Sequence, residues 1–152
     1  MDEKQKRRVI QELNRFLQGR YMGIHQYEHL IARAEDPELK DLLQQMQQHA
    51  KLGAQKIAER IQDLGGVPVD GVGVMGEIRE WMQQFQHEPR DPRDILRDAL
   101  LGENKYGIHY SHEMVADDLD EESARIVDTV LEEDKRRVER LKKRLQLLMT
   151  TR

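Results

Sequence analysis

Four charged residues, Arg20, Glu103, Asp134 and Arg137, stand at positions that the surrounding pattern reserves for apolar side chains. An unpaired charge buried in a core costs several kcal/mol or is forced to neutralise, so charges at core positions need partners. Two arginines against two carboxylates sum to zero charge. Guanidinium forks match carboxylates bidentately, so two such pairs can satisfy most of the donors and acceptors. The residues expected to face them, Ala50 and Gly53, are the smallest available and leave room for bulky arginines. The quartet therefore reads as what remains of a functional site or as a substitute for one. The plainer alternative is that the arginines snorkel to the surface and the carboxylates are solvated through a loose core.

Histidine is the next residue type with chemistry to offer. His25 and His29 lie one turn apart, as do His109 and His112, and His49 stands on a different helix. Most fall beside the apolar stripe rather than on it, which favours surface or rim positions. A two-histidine site at His25 and His49 stays open. The basic run KRRVERLKKR at 135–144 is interleaved with glutamates and lies late in a helix, where cations complement the dipole. It reads as a solvated helix end, with no nucleic-acid partner expected. The glycine-rich GGVPVDGVGV follows a helix, lacks a preceding strand and carries no phosphate-binding lysine, so it is no nucleotide loop. No Ser/His/Asp nucleophile arrangement is legible.

The elements that must hold these residues are helices. Ile10, Leu13, Leu17, Ile24, Tyr27 and Ile31 alternate at three and four residues, which predicts a helix over roughly residues 3 to 34, with Arg20 on its buried stripe. Asp36-Pro37 is an N-cap followed by proline at the first helical position, and it starts a second helix over about 37 to 64 that ends at Gly65-Gly66. Asp91-Pro92 repeats that signal for a third helix over about 92 to 117, with Leu96, Ala99, Glu103, Tyr106 and Tyr110 inward. A fourth, over about 120 to 150, carries Val127, Val130, Asp134, Arg137, Leu141 and Leu145, and acidic residues crowd its start.

Short turns between long helices make antiparallel hairpins. A helix of ~28 residues is about 42 Å long, and the stretch from 65 to 91 has enough chain to cross the bundle lengthwise. Within it Met75, Ile78, Trp81, Met82 and Phe85 form an amphipathic segment, expected to be a short helix that covers the bundle or joins a dimer interface. GIHQYEH at 23–29 recurs as GIHYSHE at 107–113, each in the first helix of its hairpin, and suggests a duplicated hairpin.

Composition agrees. The 152 residues suit one domain spanning 1–152, and 36 % charged with 5 % aromatic residues suits solvated helices. The absence of cysteine excludes disulfides, zinc–thiolate sites and thiol nucleophiles. With no apolar run of membrane-spanning length and no leader-like start, a cytoplasmic protein is expected, and a net charge of −4 offers no general attraction for nucleic acid or anionic lipid.

The hairpin–crossover–hairpin layout, LNRFLQGRYMGIHQY in the first helix, AERIQDLGGVP at the end of the second and ILRDALLGE in the third together resemble the ferritin-like superfamily, bacterioferritins and small bacterial ferritin-like domains in particular. The resemblance spans nearly the whole chain and implies an all-α, ferritin-like four-helix bundle of two antiparallel hairpins. In that superfamily two helices each give a Glu and two give a Glu-x-x-His pair to a dimetal centre. Carried over residue by residue, the first Glu falls on Arg20 and the second-helix pair on Ala50 and Gly53. Glu103 keeps its carboxylate, and the last pair becomes Asp134 and Arg137. The bacterioferritin haem-methionine position falls on Lys51, so haem is not expected, and neither is the extra helix used in cage assembly.

Two functions follow. One is a non-catalytic, homodimeric ferritin-like protein without a cofactor, its dimetal centre replaced by an Arg–carboxylate cluster and its role structural or partner-binding. The other is a protein that binds iron or another divalent metal through Glu103 and Asp134, helped by His49.

Overall fold

A computed structural model describes residues 1–71, 90–104 and 118–150. Four helices account for most of them: α1 Glu3–Arg33, α2 Pro37–Asp63, α3 Pro92–Gly102 and α4 Glu121–Thr150. Among the described residues there is no strand. The amphipathic segment at Met75, Ile78, Trp81, Met82 and Phe85 lies outside the described residues, as do His109, His112, the 107–113 repeat and the third helix beyond Asn104.

Each helix begins as its sequence dictates. Asp2 accepts from the Gln5 backbone N–H at 2.7 Å, Asp36 from Leu39 at 3.2 Å, Asp91 from Arg93 at 2.9 Å and Asp120 from Ser123 at 3.2 Å. Each side chain satisfies one of the amides that the first turn leaves unpaired. Helix α2 stops because Gly65 takes a φ of +86°, a conformation open to glycine at little cost. Gly66 then donates back to the Ile61 carbonyl at 2.9 Å. Helix α1 packs on α2, α2 on α4, α4 on α3 and α3 on α1, which closes a four-helix bundle.

The core is divided along the bundle axis. One apolar cluster joins Val9, Leu13, Phe16 and Leu17 of α1 to Ile57 and Ile61 of α2 and to Val127 and Val130 of α4. The other joins Tyr27 and Leu30 of α1, Leu43 and Met46 of α2, Ile95, Leu96 and Ala99 of α3 and Leu141 of α4. Arg20 on α1 and Asp134 and Arg137 on α4, all buried, lie between the two clusters in sequence, and the buried Glu103 follows the α3 residues of the second cluster.

Among the described residues, no helix is long and apolar enough to cross a membrane.

Candidate functional site

The buried charges meet one another across three helices. Arg20 on α1 donates from Nη1 to both Asp134 oxygens at 2.7 Å. Arg137, one turn beyond Asp134 on α4, donates from Nε to Glu103 Oε1 at 2.8 Å and from Nη2 to Glu103 Oε2 at 3.4 Å. The same Nη2 also donates to Asp134 Oδ1. Arg137 thus bridges the two carboxylates, and Arg20 closes the far side of Asp134. The Arg20 guanidinium also sits over the Phe16 ring, 4.6 Å from its centroid, where the ring quadrupole favours a cation.

Burial and charge oppose each other at Arg137. Burial works against the charged guanidinium, but the nearby Glu103 and then Asp134 outweigh it, and the pKa is raised above its ordinary value. Side-chain exposure is 5 % at Arg137, 6 % at Arg20 and 0 % at Asp134, so neither guanidinium snorkels to solvent.

Two further α1 side chains complete the polar layer. Tyr27 has the spacing of an apolar stripe residue, yet its hydroxyl donates to Glu103 Oε1 at 2.5 Å. Burial first, then the charge of Glu103, push its phenol well above the ordinary value near 10. Gln26 is also buried and donates from Nε2 to the Asp98 carbonyl at 2.6 Å. Its carboxamide occupies the space that a Cβ on Gly102 would need. Glycine at 102 is therefore what lets α1 reach the α3 backbone one residue before Glu103. One level further along, the buried Arg33 pairs with Asp98 at 2.8 Å. Sequence reading passed over Gln26, the Tyr27 hydroxyl and the Arg33–Asp98 pair. The Gly102–Gln26 approach has no signal in either residue alone.

The residues expected opposite the arginines divide. Ala50 lines a cavity of about 20 Å³ together with Arg20, Tyr27, Glu103 and Arg137. That is room for one water-sized group. Gly53 instead faces α4, where a Cβ would meet Val130 Cγ1 at 3.3 Å, so its small size admits valine rather than a guanidinium. His49 is exposed on α2 and borders a separate groove between α2 and α4. Among the described residues, no three His, Asp or Glu side chains converge as a metal-ligand group.

Residues 8–116 match the family model of a domain of unknown function, DUF2383, and the chain belongs to that family. No curated protein matches it. Its structure is similar to that of a dodecameric thioferritin, the bacterioferritin-related protein from Bacteroides fragilis, with a TM-score of 0.71 and 20 % identity over 95 % of this chain and 88 % of that one. The chain therefore shares the fold of that thioferritin, an all-α four-helix bundle.

Proposed function

We propose that this DUF2383 protein is a non-catalytic, cytoplasmic member of the ferritin-like superfamily, one domain over 1–152, in which an Arg–carboxylate cluster takes the place of the dimetal centre. The observation that carries the reading is the bridge from Arg137 to both Glu103 and Asp134. A metal ion would need those two carboxylates, and their oxygens already accept from guanidiniums and from Tyr27.

The donor set fits a metal poorly. Arg20 and Arg137 add two positive charges beside any bound cation, Ala50 and Gly53 have no side-chain donor, and His49 is exposed. The adjoining cavity of about 20 Å³ takes one small group, whereas two-metal sites hold ions ~3.5–4 Å apart with their ligands. Metal binding through Glu103 and Asp134 would require the arginines to leave, which strands two buried cations.

A cluster that closes the bundle centre leaves a structural or partner-binding role, exercised through the outer helix faces. Self-association belongs to this reading. The structural neighbour is a dodecamer, and a homodimer is the form we propose for this chain. Light scattering on the purified protein measures it.

Metal loading tests the central claim. The protein is incubated with iron(II) or manganese(II), desalted and analysed for metal content. We expect far less than one retained ion per chain and no ferroxidase activity. Tight retention of two ions per chain would overturn the reading.

A further inference from the structure

The long seam between α2 and α4 is pinned by side chains at intervals. Gln45 accepts from Arg140 at 3.2 Å, and Lys56 pairs with Glu133 at 2.9 Å. These two cross-links stand 11 residues apart on α2, about 16 Å along the helix. Between them, among the described residues, no side-chain hydrogen bond joins α2 to α4, and a groove of about 450 Å³ runs here and past Lys56. That volume lies within the range of small-molecule pockets.

The groove is chemically polarised. Towards the Gln45–Arg140 rung it is bordered by His49, Arg136 and Arg137. Leu52, 55 % exposed, gives it an apolar wall. Lys56 is neutralised by Glu133, and Glu59 stands at the opposite end. Arg136 is exposed and has no ion pair among the described residues. Arg137 is 4 % exposed and commits Nε and Nη2 to the buried carboxylates. Its remaining nitrogen, Nη1, has no protein acceptor among the described residues and is not sealed from solvent. Arg137, which lines the groove as well as the small central cavity, is thus nine-tenths buried with one guanidinium nitrogen that has no protein acceptor among the described residues.

We infer that this groove binds a small monocarboxylate with an apolar tail. The carboxylate takes Nη1 of Arg137, with Arg136 and the N–H of His49 at the mouth, and the tail lies along Leu52. A planar carboxylate suits a guanidinium edge that is fixed on its other sides, because little ordering cost remains to be met on binding. His49 supplies an N–H donor in either protonation state. The inference uses the Arg137 guanidinium as held in the cluster. It does not depend on whether that cluster stands in for a metal centre.

Octanoate is the probe, titrated into the full chain by calorimetry and by amide NMR shifts, with acetate and 1-octanol as comparators. We expect saturable binding of octanoate at one site per chain and clearly weaker binding of both comparators. Arg136→Ala and His49→Ala change exposed residues outside the buried cluster, and each should weaken octanoate about tenfold, the loss of one charge-assisted hydrogen bond. Lys142→Ala, exposed further along α4, should leave affinity unchanged. The inference is overturned by absence of saturable octanoate binding, by octanol or acetate binding equally well, or by unchanged affinity in both groove variants. Iron uptake would sink the proposed function, whereas octanoate binding is read separately on metal-free protein, and failure of octanoate would leave the metal-loading result standing.

Discussion

Arg20 and Asp134, 114 residues apart in sequence, meet in the middle of the bundle with one guanidinium nitrogen 2.7 Å from both carboxylate oxygens. Asp134 is completely buried and also accepts from Arg137. Two cations therefore hold it, while Glu103 is held by Arg137 and the Tyr27 hydroxyl. The four charges sum to zero, and removing any one of them leaves the layer charged.

Arg20→Ala and Arg137→Ala should each destabilise the protein by ~3–5 kcal/mol, because each strands a buried carboxylate without its main partner. Arg137→Ala should be the worse of the two, since it deprives both Glu103 and Asp134. Urea denaturation measures this. A loss below about 1 kcal/mol in both variants would mean that the carboxylates are hydrated rather than paired.

Removing the whole layer should cost less than removing one arginine. The combined variant Arg20→Met, Glu103→Leu, Asp134→Leu, Arg137→Met and Tyr27→Phe leaves no polar group of the network behind and joins the two apolar clusters. Buried ion pairs replaced by apolar residues of similar volume are often neutral or stabilising by ~1–4 kcal/mol. The denaturation midpoint of this variant should therefore lie above that of Arg137→Ala. A lower midpoint would show that the layer contributes net stability.

Gly102→Ala should cost about 1–3 kcal/mol, because the new methyl displaces the Gln26 carboxamide and breaks its hydrogen bond to the Asp98 carbonyl. Gln26→Ala vacates the same space. The double variant should therefore lose less than the sum of the singles, a coupling that a double-mutant cycle reads directly. Additive losses would mean that Gly102 is needed for its backbone alone.

The placement of the quartet was legible because helical periodicity assigns a residue to the buried face whatever its chemistry. Arg20 between Leu17 and Ile24 had to point inward. Periodicity does not give the rotation or level of one helix against another, and those decide partners. Gly53 therefore read as facing an arginine when it faces Val130. Tyr27 read as core packing, which it is, but its hydroxyl became a ligand of Glu103 only once α1 and α3 were set at one level. Arg33 stands in the last turn of α1, where cations are common, so nothing in the sequence marks it for burial. Its burial against Asp98 depends on α3 lying alongside.

Tyr27 should make the protein sensitive to alkali. Its phenol is raised in the folded state, by burial and by Glu103, above the value near 10 of an unfolded chain. As pH rises through 10, the unfolded state releases this proton while the folded state keeps it. Unfolding is thereby favoured, at up to about 1.4 kcal/mol per pH unit from this one group. Below the unfolded value both states hold the proton and the effect vanishes. Denaturation midpoints of the protein and of Tyr27→Phe, followed from about pH 8 to about pH 11.5, isolate the contribution, because other titrating groups are common to both. Tyr27→Phe should start lower, having left Glu103 without its hydroxyl donor, and fall less steeply above pH 10, so that the two curves converge. Parallel curves would mean that Tyr27 ionises in the folded protein, which its 2.5 Å hydrogen bond to a carboxylate opposes.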